Sequence, residues 1–538
     1  MPKTSPLTWT WTLPMMLVFC WPWTGGPSVT VVPFAAGLLA VAIAGMALKP
    51  TIPLRSLAWL FAVVGAAWLS GMGYRETGAG LVATAVACGV LMAIGRMARS
   101  QRSIPQALMV ALVLAMFWHV LVAWMQFFHV EGAFHPLANL NFTPRPYGNL
   151  RQPNHLASFA LIGLLAVWWR HQRGLDARSV TAILAALAYS GVALSGSRTG
   201  LLSSTVVALC LWFLLKRASR FERCVFLAGP LWVILIAFAL PFVGMTPNPE
   251  ITRDNASWSV RLIYWREAWN LALSHPLLGV GWGELARARF EQLPLQPGVH
   301  NTFHAHNLVL HLLAEVGFIG ATAILAPVAW LLWRQRPWRV MHASTCDNSD
   351  LVWAWLVLSV VGLHSMVEYP LWYMPFLIPT AFAFGLIMTG GLGASGLRQS
   401  GPGLAAGAGA LLLCTVLALV DYAGVSAAYG AKGRSVAALT PSPPTQATVL
   451  FQRYADRDLL MRTSLTPENA PQVLAATERL LSDGPNPFLL SRRLAALCEL
   501  VRESKARRLA ARFKVLFQED YARFLLTQNP AALKRCGL

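Results

Sequence analysis

Four short polar stretches interrupt an otherwise apolar chain of 538 residues, and their side chains are of kinds that do chemistry. They are Gly148–Asn154, Ser195–Gly200, Arg261–Arg266 and His304–Leu308. Together they offer guanidinium groups, amides and imidazoles but few carboxylates. Because such donors match the oxygens of phosphate and similar groups, a pocket built from these stretches is expected to prefer an anion.

Three arginines in these stretches are candidates for binding the anion. Arg198 lies between two apolar segments, where an unpaired cation is costly, so it either faces a polar cavity or snorkels to the membrane interface. Arg261 and Arg266 flank Tyr264 and Trp265. A guanidinium fork fits phosphate and an aromatic face suits a sugar ring, but this segment taken alone is more simply interpreted as an amphipathic interfacial helix.

Two histidines, His304 and His306, stand where a long polar loop returns to an apolar segment, and Asn307 follows them. Their spacing is not that of a zinc protease motif, and no ligand cluster accompanies them, so no metal site is predicted. A histidine at the end of a span is often only a hydrogen-bonded structural residue. Histidine is also the side chain best suited to exchange a proton near neutral pH, which makes a general base the functional interpretation.

Two acidic features require an interpretation. Glu368 precedes Pro370 at a break between two apolar segments, and a carboxylate placed there is expected to pair with one of the arginines rather than to remain solvated. The Asp456-Arg457-Asp458 triplet is like the metal-binding Asp-x-Asp of nucleotide-sugar glycosyltransferases. It stands among helix-forming residues in the C-terminal region, so surface charge is the preferred interpretation.

The composition places these residues in a membrane protein. Hydrophobic residues make up 56% of the chain and charged residues 12%, which excludes an ordinary soluble protein. The formal charge of +20 is spread over short clusters between apolar runs, so membrane topology explains it better than nucleic-acid binding does. Five of the eight cysteines fall in or beside apolar runs and there is no CxxC pair, so neither a disulfide framework nor a zinc site is expected.

Apolar segments of membrane-spanning length recur up to about residue 429 and predict an all-α, polytopic transmembrane bundle of about 12–13 helices. The first segment follows a single lysine and lacks a small-residue cleavage site, so it is interpreted as a retained helix rather than a signal peptide. The predicted spans lie near residues 7–23, 30–48, 57–73, 79–97, 107–128, 154–169, 180–196, 200–215, 224–244, 306–333, 351–367, 371–390 and 403–424.

Basic clusters occupy alternate loops, and the positive-inside rule places those loops in the cytoplasm. All the polar motifs then face the periplasm, including the long loop 246–305. The clusters are Lys49 and Arg55; Arg96, Arg99 and Arg102; Arg170, Arg173 and Arg178; Lys216, Arg217, Arg220 and Arg223; and Arg334, Arg336 and Arg339.

The chain divides into a transmembrane part, 1–429, and a soluble all-helical domain, 430–538, which the loop alternation makes periplasmic. In the second part apolar residues recur at helical spacing among Arg and Glu. They include Leu480, Leu489, Leu490, Leu494, Leu497 and Leu500.

Five motifs in order between residues 148 and 375 give the chain a resemblance to the O-antigen ligase and polymerase superfamily. Within it, the chain is most similar to the bacterial protein O-oligosaccharyltransferases that glycosylate pilins and other periplasmic proteins. The motifs are Arg151-Gln152-Pro153-Asn154, Ser195-Gly196-Ser197-Arg198-Thr199-Gly200, Pro276-Leu277-Leu278-Gly279-Val280-Gly281-Trp282-Gly283, His304-Ala305-His306-Asn307 with Glu315-Val316-Gly317, and Glu368-Tyr369-Pro370-Leu371-Trp372-Tyr373.

The resemblance implies a metal-independent and cofactor-independent transfer from an undecaprenyl-diphosphate-linked glycan to Ser or Thr hydroxyls of a pilin-like protein, at an inner-membrane site facing the periplasm. Matched motif by motif, it puts the general base on His306. Diphosphate binding falls on Arg198 and Arg261, with Arg266 beside them. The other expected site residues are Gln152, Asn154, His304, Asn307, Glu368, Tyr369 and Tyr373.

Two alternatives stay open. Ligation to lipid A core or polymerisation of repeat units differs only in the acceptor, so the site residues do not distinguish it. A transporter or flippase for an anionic amphiphile would use the same arginines without chemistry. It is less favoured, because alternating access requires a site near the membrane midplane and the polar motifs lie at one face.

Overall fold

The computed structural model describes residues 6–22, 26–52, 57–214, 219–243, 255–295, 302–337, 348–388, 401–430, 448–528 and 530–538. These residues form helices joined by turns, and the one β-type pairing among them is a single bridge between Met72 and Trp282. The predicted all-α class is confirmed. Lys3, Arg55, Lys216, Arg217, Arg339 and parts of the loop 246–305 lie outside the described residues.

Fifteen labelled helices precede the C-terminal region. Helix α9 is led by a short helix, Arg220–Glu222, and a π turn, Arg223–Leu227, and is followed by a 3-10 turn, Leu240–Val243. The fifteen are α1 Pro6–Cys20, α2 Val31–Leu48, α3 Ala58–Ser70, α4 Arg75–Ala98, α5 Ser103–Phe127, α6 Pro153–Gln172, α7 Arg178–Leu194, α8 Arg198–Leu214, α9 Gly229–Ala239, α10 Asn255–Ser274, α11 Leu285–Gln292, α12 Leu308–Gln335, α13 Ser349–Ser365, α14 Met374–Ile387 and α15 Gly401–Gly430.

Each of the thirteen predicted spans coincides with one of these helices, whereas α10 and α11 belong to the long loop. Among the described residues five helices are long and apolar enough to cross a membrane, namely α2, α4, α5, α12 and the 403–427 part of α15. The bent pair Arg220–Leu227 and Gly229–Val243 makes a sixth if it is counted as one span. Five other helices in the described part of the chain, α3, α7, α8, α13 and α14, are apolar but only 10–17 residues long.

The centre of the bundle is α6, in which every residue from His155 to Trp169 is buried. A helix that is apolar on all sides is stable only when other helices surround it. Helices α4 and α14 approach most closely at two glycines. A Cβ on Gly95 would lie 2.2 Å from the carbonyl oxygen of Phe382, and one on Gly385 would lie 2.1 Å from that of Met92. Small residues at such crossings let membrane helices pack backbone against backbone.

Helix α12 is broken at Gly317, whose φ of 67° and ψ of −177° are not helical. The segment 276–283 fills this break through backbone hydrogen bonds. Val280 donates its N–H to Ala314, Gly281 donates to Glu315, and Phe318 donates to Pro276, at 2.9, 3.0 and 2.7 Å. Two of the recognised motifs therefore form one backbone junction that anchors the long loop to the bundle.

At the end of the bundle away from this junction, the loops contact one another through polar side chains. Arg173 pairs with Asp350 at 3.1 Å, and Gln172 hydrogen-bonds Glu222. These residues come from the loops predicted to be cytoplasmic, and the contacts place those loops on a common face of the bundle.

The C-terminal region forms six labelled helices with their own apolar core. The five leucines from Leu480 to Leu497 in the predicted set are buried in it and Leu500 packs against it, as the helical spacing predicts. The helices are α16 Gln452–Arg462, α17 Ala470–Leu480, α18 Pro487–Glu499, α19 Glu503–Leu516, α20 Gln518–Thr527 and α21 Pro530–Arg535.

Two sequence interpretations of this region are corrected. Asp456 and Asp458 are 2% and 3% exposed, so they are not surface charges; each is paired, with Arg479 at 2.7 Å and with Arg462 at 2.9 Å. A disulfide joins Cys498 to Cys536. The sequence pattern missed it because the two cysteines are 38 residues apart and share no motif.

The C-terminal helices dock on the long loop. Phe290 of α11 is buried in the C-terminal core, and the guanidinium of Arg512 lies 5.3 Å from its ring centroid. Ser482 donates to Glu284 at 2.8 Å, and Arg453 pairs with Glu76 at the start of α4. Helix α11 is consequently held between the C-terminal helices and the bundle.

Candidate active site

Glu368, in the turn between α13 and α14, is the hub of the polar cluster. It is 5% exposed, and its two oxygens have different partners. Oε1 pairs with Nη2 of Arg261 at 2.7 Å and also accepts from the amide of Asn154 at 3.2 Å. Oε2 accepts from Nδ1 of His306 at 2.9 Å. Three of the four polar stretches thus meet at one carboxylate, and its predicted pairing with an arginine is confirmed.

These partners hold the carboxyl in its charged form. Burial alone would raise the pKa of Glu368, but the hydrogen bond and charge of His306, together with the charge of Arg261, outweigh burial and bring the pKa from 4.5 down to about 2. An ionised carboxylate can only accept, so His306 must carry its proton on Nδ1. The Nε2 atom is then the ring nitrogen with a lone pair whenever His306 is neutral.

The backbone and neighbours of His306 fix its ring. Its φ of 53° lies in the left-handed region, which non-glycine residues rarely adopt and which recurs at functional sites. Tyr264 stacks on the imidazole with ring centroids 5.7 Å apart and an interplanar angle of 21°. The indole N–H of Trp265 reaches the His306 carbonyl at 3.4 Å. Asn307 caps α12 by accepting from Leu310 at 3.0 Å.

The stretch Ser195–Gly200 joins the cluster through Ser197. Its hydroxyl donates to Oδ1 of Asn154 at 2.7 Å and accepts from the N–H of Gly200 at 3.0 Å. Asn154 follows Pro153 at the start of α6, and Gln152 caps that helix by accepting from His155 at 2.7 Å. The amino-terminal ends of α6, α8 and α12 therefore converge beside Glu368, which favours negative charge in this region.

An aromatic wall lies on the other side of His306. Tyr369 stacks on His304 at 4.1 Å between ring centroids and meets His306 edge-on at 5.3 Å. Tyr373 is 6.1 Å from Tyr369. Burial raises the pKa of Tyr369, and burial with the neighbouring His311 and His306 lowers the pKa of His304 well below its usual value. Both groups are therefore neutral near pH 7.

The structure places the other two predicted arginines outside the direct contacts of Glu368. Arg198 begins α8 beside Ser197 and is exposed, and Arg266 is exposed on α10 next to Trp265. Neither forms an ion pair with any residue in the described part of the chain.

The sequence motifs missed two further arginines. Arg145 donates from Nε to the carbonyl of Ser195 at 2.8 Å. Arg289 of α11 is 5% exposed, pairs with Glu267 of α10, and lies 4.8 Å from the ring centroid of Tyr264. Neither arginine stands in a recognised motif, and Arg289 is indistinguishable by local sequence from its neighbour Arg287.

Three family models match consecutive parts of the chain. One described as "Protein glycosylation ligase" matches residues 146–171, one described as "O-Antigen ligase" matches 182–325, and one described as "Virulence factor membrane-bound polymerase, C-terminal" matches 352–530. The first two include Asn154, Arg198, Arg261 and His306, and the third includes Glu368.

Two curated relatives come from Acinetobacter baylyi. A general O-oligosaccharyltransferase is 27% identical over 290 residues, which are 50% of this chain and 48% of the relative. A ComP-specific O-oligosaccharyltransferase is 27% identical over 261 residues, 47% of this chain and 46% of the relative. The chain thus spans about half the length of these relatives. With the family models and the shared motifs, these matches make the chain similar to the O-antigen ligase superfamily and, within it, to its protein-glycosylating members.

Proposed function

We propose that this protein is an oligosaccharyltransferase that moves a glycan from an undecaprenyl-diphosphate carrier to Ser or Thr hydroxyls of a periplasmic, pilin-like protein. The observation that supports this most is the arrangement in which Glu368 orients His306 and pairs with Arg261. The names of the two relatives agree with transfer to a protein.

In the proposed reaction His306 is the general base. Its Nε2 accepts the proton of the acceptor hydroxyl while the oxygen attacks C1 of the first sugar. The bond between C1 and the phosphate oxygen breaks, and its electron pair leaves with the diphosphate. A single displacement of this kind inverts the anomeric centre. The carboxylate of Glu368 keeps the imidazole in the correct tautomer and stabilises the imidazolium that forms, without itself changing protonation.

The arginines divide into two roles in this proposal. Because Glu368 neutralises much of the charge of Arg261, the net positive charge that attracts the diphosphate comes from the exposed Arg198 and Arg266. Arg261, held by Glu368, stabilises the leaving diphosphate where its charge develops. The neutral aromatic wall of Tyr369 and Tyr373 offers surfaces for the glycan.

The proposed location is the bacterial inner membrane, with the site and the C-terminal domain, 430–538, facing the periplasm. Contacts among three of the five basic loops, at the end of the bundle away from Glu368, support this orientation under the positive-inside rule. The disulfide between Cys498 and Cys536 supports the placement, because such bonds persist in the periplasm and are rare in the cytosol.

One observation favours a second function. The family model described as a membrane-bound polymerase covers 352–530, which contains Glu368 and the C-terminal helices. A polymerase would use the same donor and the same base but a sugar hydroxyl as acceptor.

The test uses the purified full chain with lipid-linked glycan and two acceptors, a pilin-like protein and a second lipid-linked glycan. We expect intact-mass analysis to show glycan added to the protein and no lengthening of the lipid-linked glycan. Lengthening without protein modification would replace the proposal by the polymerase. Donor binding without either product would leave a carrier and exclude the transferase.

A further inference from the structure

An unusual loop precedes the site between α5 and α6. Six of its side chains are apolar and largely exposed, and we call them the apolar rim. They are Phe128 at 44%, Val130 at 49%, Phe134 at 46%, Leu137 at 51%, Leu140 at 36% and Phe142 at 85% exposed. Six exposed apolar side chains within 15 residues are more than scattered surface residues and point to a surface that another apolar phase covers.

The loop is held in place by buried polar side chains. Gln126, 1% exposed, accepts from the N–H groups of Tyr147 and Gly148 at 2.9 Å each and donates to two loop carbonyls, also at 2.9 Å. Asn149 accepts from the N–H of Asn139 and donates to the carbonyl of Leu137, at 2.9 and 2.8 Å. The backbone is therefore fixed from within, and the exposure of the rim belongs to the folded loop.

The rim adjoins two exposed apolar surfaces of the helical bundle. Helix α5 qualifies as a membrane span, and its exposed Leu114 and Phe117 lie on the stripe that reaches Phe128 at the helix end. The end of α9 packs beside this point, where Leu240 contacts the apolar group that contains Trp124 and Phe127. Its nearby Phe242 is 79% exposed. An exposed apolar surface that adjoins the end of a candidate membrane span is in the place where the bilayer would cover it.

The rim also adjoins the site. Arg145 follows it and binds the carbonyl of Ser195, three residues before Arg198. The same loop ends at Asn154, whose amide contacts Glu368. A lipid-linked donor must bring its diphosphate to this level while its tail stays in the membrane, and the rim lies along that approach.

We propose that the apolar rim is seated in the outer leaflet of the bilayer and forms the lip over which the polyprenyl chain of the donor enters the site. This inference rests on the proposed function for the nature of the donor. Membrane seating of the rim is independent of it. The rim consists of Phe, Leu and Val rather than the Trp and Tyr of interfacial belts, which matches penetration beyond the headgroups.

The first experiment measures seating without any reaction. The protein, with Cys20, Cys88, Cys210, Cys224, Cys346 and Cys414 replaced by Ala and the disulfide retained, receives a nitroxide label through Phe134→Cys, Phe142→Cys, Leu114→Cys or Arg523→Cys. In liposomes of phosphatidylethanolamine and phosphatidylglycerol, power saturation compares access of oxygen and of a water-soluble nickel chelate. We expect the labels at Phe134→Cys and Phe142→Cys to be accessible to oxygen and protected from the nickel chelate, like the label at Leu114→Cys. The proposal would be overturned if the rim labels were as accessible to the nickel chelate as the label at Arg523→Cys and became protected from it only when acceptor protein is added. That result would favour a protein-docking surface.

The second experiment links seating to the donor. The double variant Phe134→Ser/Phe142→Ser is expected to raise KM on the order of tenfold for a long-chain polyprenyl donor and to leave KM unchanged for a short-chain, water-soluble donor. Leu526→Ser is the matched control, because Leu526 in the C-terminal domain is 87% exposed and far along the chain from this loop. Equal changes in KM for both donors would contradict the proposed role of the apolar rim in donor entry. Absence of transfer in the wild type would reject the proposed function while the label result stands.

Discussion

At the residue scale, the two neighbouring histidines differ in their partners. His306 has Nδ1 on the ionised Glu368, whereas His304 is buried against Tyr369 with a pKa held well below the usual value by burial and by the nearby histidines. Only His306 is therefore arranged as a base with an oriented lone pair.

We expect His306→Ala to reduce transfer by about 10²–10⁴-fold while the donor lipid still binds. His304→Ala should cost less, because it removes a stacking contact and no proton acceptor. Single-turnover rates and donor Kd, measured on equal amounts of folded protein, check this. Wild-type rates in His306→Ala, or loss of wild-type activity on chelation with recovery on adding zinc, would require a positional or metal role instead.

Glu368 predicts a specific pH dependence of stability. The pKa of Glu368 in the folded protein is about 2 against a usual 4.5. Its contribution to the free energy of unfolding is therefore complete above pH 4.5 and is lost as the pH falls toward 2. The difference in melting temperature between wild type and Glu368→Gln should therefore be constant from pH 7 to 5 and shrink below that.

Glu284 provides a control of opposite sign. Burial raises the pKa of Glu284, so its contribution to the free energy of unfolding is greatest at low pH and declines as the pH rises through its pKa in the folded protein.

A difference in melting temperature for Glu368→Gln that does not change between pH 7 and 3 would mean that the charge of Glu368 does not hold the cluster.

The sequence could predict the site residues by type but not all their partners. Glu368 was expected to pair with an arginine, since a carboxylate at a helix break near membrane depth needs a cation. Nothing local distinguishes Arg261 from Arg198, because the pairing spans 107 residues and depends on how α10 lies over the bundle. For the same reason the contact of Ser197 with Asn154 and the position of Arg289 beside Tyr264 could not be predicted.

At the element scale, the junction of α12 with the segment 276–283 depends on glycine. A Cβ on Gly317 would lie 2.4 Å from the carbonyl oxygen of Leu277, and the residue also has a positive φ. We expect Gly317→Ala to destabilise the protein by at least ~1–3 kcal/mol from backbone strain, with the clash in addition. The yield and melting temperature of the purified protein measure this.

Gly362 in α13 is the matched control, because no atom within 4 Å would meet its Cβ. Gly362→Ala should be neutral or slightly stabilising, since alanine is the better helix former. Equal losses for the two variants would mean that general sensitivity to substitution, not the junction, explains Gly317→Ala.

Hydropathy predicted the positions of thirteen helices of the bundle because apolar length is a property of the local sequence. It could not reveal the break at Gly317, since the apolar character continues through it and only the approach of residues 276–283 opens the helix. The paired Asp456 and Asp458 were misjudged for a related reason. Local pattern gives charge, but burial of that charge depends on Arg462 and Arg479 in the folded domain.

At the scale of the whole molecule, the C-terminal helices and the site are connected through α11. Its Phe290 is buried in the C-terminal core, and Arg512 donates to the carbonyl of Leu293 just beyond the helix at 2.6 Å. The adjacent Arg289 holds Glu267 at 2.8 Å and lies over Tyr264, whose ring stacks on His306. A displacement of α11 would therefore reach His306 through one aromatic ring.

We expect Arg289→Gln to lower kcat at least tenfold at an unchanged donor KM, because Tyr264 loses the cation that fixes it against His306 while Arg198 and Arg266, the arginines proposed to attract the donor, stay in place. Truncating one partner of a buried pair also costs about 3–5 kcal/mol of stability, so rates are normalised to folded protein and Glu267→Gln/Arg289→Gln is measured in parallel. Arg287→Gln is the matched control, since Arg287 lies on the same helix but is 40% exposed and pairs with Glu284 and Glu291 at the surface. If the double variant folds stably yet keeps wild-type kcat, or if Arg287→Gln is equally impaired, α11 supports the fold without positioning the base.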